Sequence, residues 1–191
     1  VHRAYLAVGA DIIETNTFNA TSVVQSEYGL QDFVYKINKS AAEIAKKETQ
    51  DFFSRTGRKA FVAGAIGPAN KTLSLSPDVQ NPGFRAISFQ ELSDAYKEQI
   101  HGLIDGGVDI LLPETTFDTL NLKAALFAIG EVETERNLKM PLMVSVTIVD
   151  LSGRTLSGQN IDAFWTSIKH SNPISVGLNC ALGAKEIKPF L

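Results

Sequence analysis

Five short apolar runs, each followed by a longer amphipathic or polar stretch, constrain this chain more than anything else in its sequence. The runs occupy residues 12–18, 61–66, 108–113, 142–148 and 174–179. Most are apolar at nearly every position, without strict alternation, which is the pattern of parallel strands buried on both faces. Between them the periodicity turns helical. Residues 33–53 set Val34, Ile37, Ala41, Ile44, Ala45 and Phe52 along one stripe. Residues 91–104 do the same with Leu92, Ala95, Tyr96, Ile100, Leu103 and Ile104. Ser88-Phe89-Gln90-Glu91 reads as a capping box opening that helix, because hydroxyl and carboxylate can each satisfy a free backbone donor. Asp118 is placed to cap a helix carrying Leu120, Ala124 and Phe127, and Asn160 one carrying Ile161, Phe164, Trp165 and Ile168. Repeated strand–helix units predict an α/β fold with a parallel sheet and right-handed crossovers.

Composition narrows the functional classes. The chain has 191 residues and a formal net charge of −3, which gives no field to attract nucleic acid or anionic lipid. With 44% hydrophobic and 20% charged residues it has ordinary globular usage, against disorder. No apolar run approaches the roughly 20 residues needed to cross a bilayer, and the N-terminal VHRAYLAVGA lacks a signal-peptide layout. A single cysteine rules out an internal disulfide and fits a reducing, cytoplasmic setting. No composition shift marks a second domain. The longest irregular piece, 67–87, follows a strand, and an insertion of that length in a compact domain is usually a functional loop.

An internal echo separates structural from functional candidates. Gly9-Ala10-Asp11-Ile12-Ile13 leads to Glu14-Thr15-Asn16-Thr17-Phe18, and Gly107-Val108-Asp109-Ile110-Leu111 leads to Glu114-Thr115-Thr116-Phe117. In a barrel of βα units the strand starts belong to the stability face and the strand exits to the active-site face. Asp11 and Asp109 are therefore read as structural, Glu14 and Glu114 as site candidates. A carboxylate among apolar strand residues is costly to bury without a cation or donors, which suits Glu114 to a substrate ammonium group. The alternative is pairing with a nearby lysine or capping a helix. Asn16 and Asn179 also stand at strand exits, where each can bind a polar substrate or satisfy a turn.

Cys180 follows Val176-Gly177-Leu178-Asn179 at the end of the fifth run. It is either a small buried hydrophobe or a site thiolate, nucleophile or soft metal ligand. A nucleophilic cysteine normally needs a base, usually histidine. His2, His101 and His170 all fall on helical or helix-end segments, which argues against a Cys–His dyad. The turn Gly64-Ala65-Ile66-Gly67-Pro68 permits close backbone approach, but its spacing is no dinucleotide fingerprint and no Walker motif occurs. The polar segment 147–158 is suited to covering a pocket, with Arg154 either an anion binder or a solvated loop residue.

Taken together, Gly9 through Phe18, Gly64 through Pro68 with Asn70-Lys71-Thr72-Leu73-Ser74, and Glu114-Thr115 before Asp118 resemble the homocysteine S-methyltransferase family. Val149-Asp150, then Ser152-Gly153-Arg154-Thr155-Leu156-Ser157-Gly158-Gln159, and Gly177-Leu178-Asn179-Cys180-Ala181-Leu182-Gly183 narrow the resemblance to the N-terminal homocysteine-binding modules of cobalamin-dependent methionine synthases. The resemblance spans essentially the whole chain. It implies a (β/α)₈ TIM barrel holding zinc through three cysteines, the first matching Cys180 and the other two an adjacent pair in a Gly-Gly-Cys-Cys motif. That motif is absent here, as is the family's first-strand Asp-Gly-Ala-Met-Gly-Thr segment. By resemblance the chain is expected to be a fragment, residues 1–191, of one barrel domain truncated at both ends, holding strands two through six of eight, because such a barrel usually takes about 250 residues.

The same resemblance implies that Glu114 takes the amino group of homocysteine, with Asn16 and Asn179 as further substrate contacts. Thiolate-bound zinc would take the homocysteine sulfur in its open position and present it as a thiolate, to be methylated to methionine. Cobalamin and methyltetrahydrofolate would be bound by other domains of the same polypeptide. One cysteine does not build such a site, so this segment alone is expected to be inactive. A relative using betaine or S-methylmethionine is the alternative donor reading. An association scaffold with open sheet edges is the non-catalytic one.

Overall fold

The computed structural model describes residues 1–191. In chain order the elements are α1 (His2–Ala7), β1 (Ile12–Glu14), α2 (Ser22–Gln25), α3 (Val34–Thr56), β2 (Phe61–Ile66) and α4 (Phe89–Asp105). They continue with β3 (Ile110–Pro113), α5 (Thr119–Arg136), β4 (Met143–Thr147), α6 (Ile161–Ile168), β5 (Ser175–Asn179) and α7 (Ala184–Ile187). Strands β1, β2 and β3 form one parallel ladder in that order, and β4 and β5 form a second. Isolated parallel bridges from Leu111 to Leu142 and from Thr116 to Val146 join β3 to β4. Each strand thus lies beside its predecessor with helix on every connection, the α/β arrangement that the alternating runs predict. No helix is long and apolar enough to cross a membrane.

The local signals act as their chemistry requires. Ser88 and Glu91 form a complete capping box at the start of α4. The Asp118 carboxylate accepts from Leu120 N at 2.9 Å at the start of α5, and Asn160 accepts from Ala163 N at 2.9 Å at the start of α6. The main core lies between helices and sheet, around Val62, Ile66, Leu92, Ile100, Leu111, Ile129 and Phe164. A small second cluster of Ala63, Ile110 and Leu112 occupies the opposite sheet face, as the two-residue period of a strand requires.

Two expectations need correction. The run 12–18 pairs as a ladder only over Ile12–Glu14. Beyond it, backbone bonds remain only from Thr15 N to Ala63 O and from Gly67 N to Phe18 O, and threonine side chains fill the gap between them: Thr15 Oγ1 accepts from Ala65 N at 3.0 Å and Thr17 Oγ1 donates to Ala65 O at 2.7 Å. The remaining runs begin one or two residues later than the apolar pattern does, except β2, which matches residue for residue.

The second correction concerns the helix faces. Ile44 is exposed, and the buried seam of α3 instead runs through Val34, Asn38, Ala41, Ala42, Ala45, Thr49 and Phe52. The cause is the partner helix. A Cβ on Gly102 of α4 would fall 2.6 Å from the Tyr35 carbonyl oxygen, and one on Gly106 would fall 2.6 Å from that of Lys39. Glycine at both positions brings the two backbones so close that small residues, rather than isoleucine, fill the interface. On α5, Leu120 and Phe127 remain partly exposed, while Leu122, Ala125, Ile129 and Val132 are buried. Phe127 meets Phe89 edge to face at 5.8 Å.

Candidate functional site

Because the five strands are parallel, their carboxyl ends share one edge, where Glu14, Glu114, Thr147, Asn179 and Cys180 emerge. Glu114 is partly buried, and its backbone N–H donates to Ile66 O at 3.0 Å, fixing the strand end. None of the ion pairs of the chain involves it. Burial raises its carboxyl pKa above the usual range, the nearby Glu14 carboxylate adds to that, and the Thr115 hydroxyl offsets part of it. Glu114 pairs with no lysine, and the cap of α5 is Asp118. A carboxylate so placed is costly to keep charged without a cation or further hydrogen-bond donors.

Cys180 is exposed, so the reading of it as a small buried hydrophobe fails. It has φ 59° and is followed by Ala181 with φ 44°, a left-handed pair directly after β5. Asn179 Nδ2 donates to Cys180 Sγ at 3.2 Å and to Thr115 Oγ1 at 2.7 Å, while Thr147 Oγ1 lies 3.4 Å from Asn179 Oδ1. Thr115 Oγ1 in turn lies 3.4 Å from Glu114 Oε2. Three of the residues singled out by sequence are therefore joined: Cys180, Asn179 and Glu114 are linked through Thr115. Asn16 is not brought in; it is exposed, between the buried Thr15 and Thr17, and its side chain makes no hydrogen bond.

Thr115 is the residue that sequence reasoning missed as an individual. Its place in the Glu-Thr echo was visible, but its positive φ and its bond to Asn179 were not. Asp11 pairs with Arg58 at 3.4 Å and Asp109 with Lys46 at 2.5 Å, both at the amino ends of strands, in keeping with structural roles. Arg154 donates to Gly158 O at 2.8 Å within its own loop. His101 is engaged by Arg136 across α4 and α5, and His2 and His170 lie on α1 and in the turn after α6.

The long segment 67–87 is pinned to this edge. Tyr96 accepts from Ala69 N at 3.2 Å and donates to Gly67 O at 3.3 Å, and burial pushes its phenol pKa up. Asp118 accepts from Ser74 N at 2.9 Å and Ser74 Oγ at 2.6 Å; Asn121 accepts from Leu73 N at 2.9 Å. Arg85 donates to Leu73 O at 2.6 Å. Asp118 thus caps a helix and, with Asn121, orders a loop.

For a metal, the thiol of Cys180 suits a soft cation, but no group of three potential ligands is assembled. One thiolate is fewer than the three protein ligands that a catalytic zinc uses.

Residues 1–191 match the family model described as homocysteine S-methyltransferase. Among solved structures the fold is similar to the homocysteine methyltransferase MmuM from Escherichia coli. Against its metallated form the TM-score is 0.78 at 20% identity, covering 97% of this chain and 63% of that one. Against the oxidized form it is 0.75 at 19% identity, with 94% and 60% covered. Against the apo form it is 0.70 at 18% identity, with 97% and 62% covered. The chain therefore spans a little under two thirds of the length of these solved relatives.

Proposed function

Because the chain belongs to the homocysteine S-methyltransferase family, we propose that it forms part of a homocysteine-binding methyltransferase domain of a methionine synthase. The domain is read as a (β/α)₈ barrel of which residues 1–191 are one arc, strands two through six. Consecutive parallel strands with helix on each connection support that reading. Glu114 takes the substrate ammonium group, with Glu14 adding negative charge beside it. Cys180 is one thiolate of a zinc site whose other ligands lie outside these residues. Bound zinc would lower the pKa of the homocysteine thiol; the methyl group would come from methylcobalamin on another domain, with methyltetrahydrofolate on a further one.

One observation carries the reading: a partly buried carboxylate without a cation, linked to a strand-end thiol by two intervening side chains. An α-amino acid bearing a thiol has the two complementary groups. The test is calorimetric titration of the full-length protein with homocysteine. Glu114→Gln should weaken binding roughly 10- to 100-fold, the worth of a charge-assisted hydrogen bond; undiminished affinity removes Glu114 from the site. Offering methylcobalamin, betaine and S-methylmethionine as donors then decides the donor, and turnover with betaine or S-methylmethionine without corrinoid overturns the cobalamin assignment.

A further inference from the structure

Thr115 holds a conformation that its side chain disfavours. At φ 56° it is a β-branched residue in the left-handed region, a strained conformation that persists only where the surroundings over-determine it. The other left-handed non-glycine residues are of two kinds. Asn137 and Asn172 end helical segments, the ordinary use of asparagine, whereas Thr115, Cys180 and Ala181 follow strands at the site edge. If the turn alone mattered, glycine or asparagine would make it at lower cost.

What over-determines Thr115 is contact with the next two strands, β4 beside it and β5 beyond. Its N–H donates to Ser145 Oγ of β4 at 3.0 Å, and Thr116 N donates to Ser145 O at 3.1 Å. Its Oγ1 accepts from Asn179 Nδ2 of β5 at 2.7 Å. With that bond made, the hydroxyl proton is free for Glu114 Oε2, 3.4 Å away. That distance is long for a hydroxyl donor, and such contacts shorten when a ligand closes the site.

We infer that Thr115 is a positioning residue: its hydroxyl, aimed by the strained turn and by Asn179, holds the Glu114 carboxylate in the orientation that receives the substrate ammonium group. The inference rests on the homocysteine-binding reading above and extends it to a residue that need not touch the substrate.

Three substitutions in the full-length protein separate hydroxyl from backbone. Thr115→Ser keeps the hydroxyl, Thr115→Val keeps the shape without it, and Thr115→Gly removes it while relieving the turn. Homocysteine affinity should follow the hydroxyl: within about 2-fold of wild type for Ser, and about 10-fold weaker for both Val and Gly. Thermal stability should rank differently, with Gly above Val. The hydroxyl favours the charged carboxylate, so losing it should also move the acid limb of binding to higher pH in Val and Gly and not in Ser. Affinity that follows stability, with Gly like wild type, or an unmoved acid limb, overturns the inference. Wild-type protein that binds no homocysteine overturns the functional reading and this inference with it. Wild-type binding with Thr115→Val equally tight overturns this inference alone.

Discussion

The strand exits Glu14-Thr15 and Glu114-Thr115 share a dipeptide and a position, yet they spend their side chains differently. After β1, Thr15 is buried at 4% exposure, and its hydroxyl is consumed by Ala65 N and Thr17 Oγ1. The first exit is therefore closed onto the neighbouring strand, and its glutamate is exposed. After β3, the left-handed turn at Thr115 sends the hydroxyl sideways to Asn179 and Glu114. The first exit seals the sheet; the second organises an edge. Two copies of a short motif thus acquire different tasks from the backbone dihedral of one residue.

Exchanging the two glutamates is the strongest way to break this contrast. Against the 10- to 100-fold loss expected of Glu114→Gln, Glu14→Gln should change homocysteine affinity by less than about 5-fold, since it acts only through its charge. Equal losses would make the exits equivalent. The contrast also has a pH signature. Glu114 must be charged to take an ammonium group, so affinity should fall as pH drops through its raised pKa, and Glu114→Gln should flatten that limb. Without ligand the sign reverses. The neutral acid is the form tolerated by burial, so the contribution of Glu114 to stability is present at low pH and lost as pH rises through its folded pKa.

Next in size is the seal itself. Thr15→Val strands the Ala65 amide and removes the Thr15–Thr17 hydroxyl bond, while Thr17 keeps its bond to Ala65 O; denaturant unfolding should register about 1–3 kcal/mol of destabilisation. The smallest difference concerns the aspartates at the opposite ends of the same two strands. Asp109 binds Lys46 and accepts from Val62 N at 2.9 Å, so Asp109→Asn should cost about 1 kcal/mol. The Asp11 side chain is 82% exposed, and Asp11→Asn should stay within about 0.5 kcal/mol. The same chemical denaturation series measures all three.

Much of this was legible in the sequence because it rests on local rules. The capping residues Ser88, Asp118 and Asn160 and all five strand cores follow from periodicity and from short polar side chains at helix starts. What escaped depends on approach between distant segments. The exposure of Ile44 follows from glycines about sixty residues away, Gly102 on α4 and Gly106 at its end. The early end of β1 goes with threonine hydroxyls bonding the Ala65 peptide groups of the neighbouring strand. At the site, Cys180, Asn179 and Glu114 announced themselves by residue type at strand exits. Thr115 did not, because nothing in a threonine signals a left-handed φ and its partner Asn179 lies on another strand.

The segment 67–87 contains no helix or strand, yet Ala69, Leu73 and Ser74 give their amides to side chains of α4 and α5. Those amides should exchange with solvent as slowly as the helices that hold them, and open with them as one cooperative unit. The conformational entropy of residues 69–74 is surrendered when the chain folds. A molecule arriving at that edge therefore meets a wall already set, with no ordering cost left to charge against its affinity.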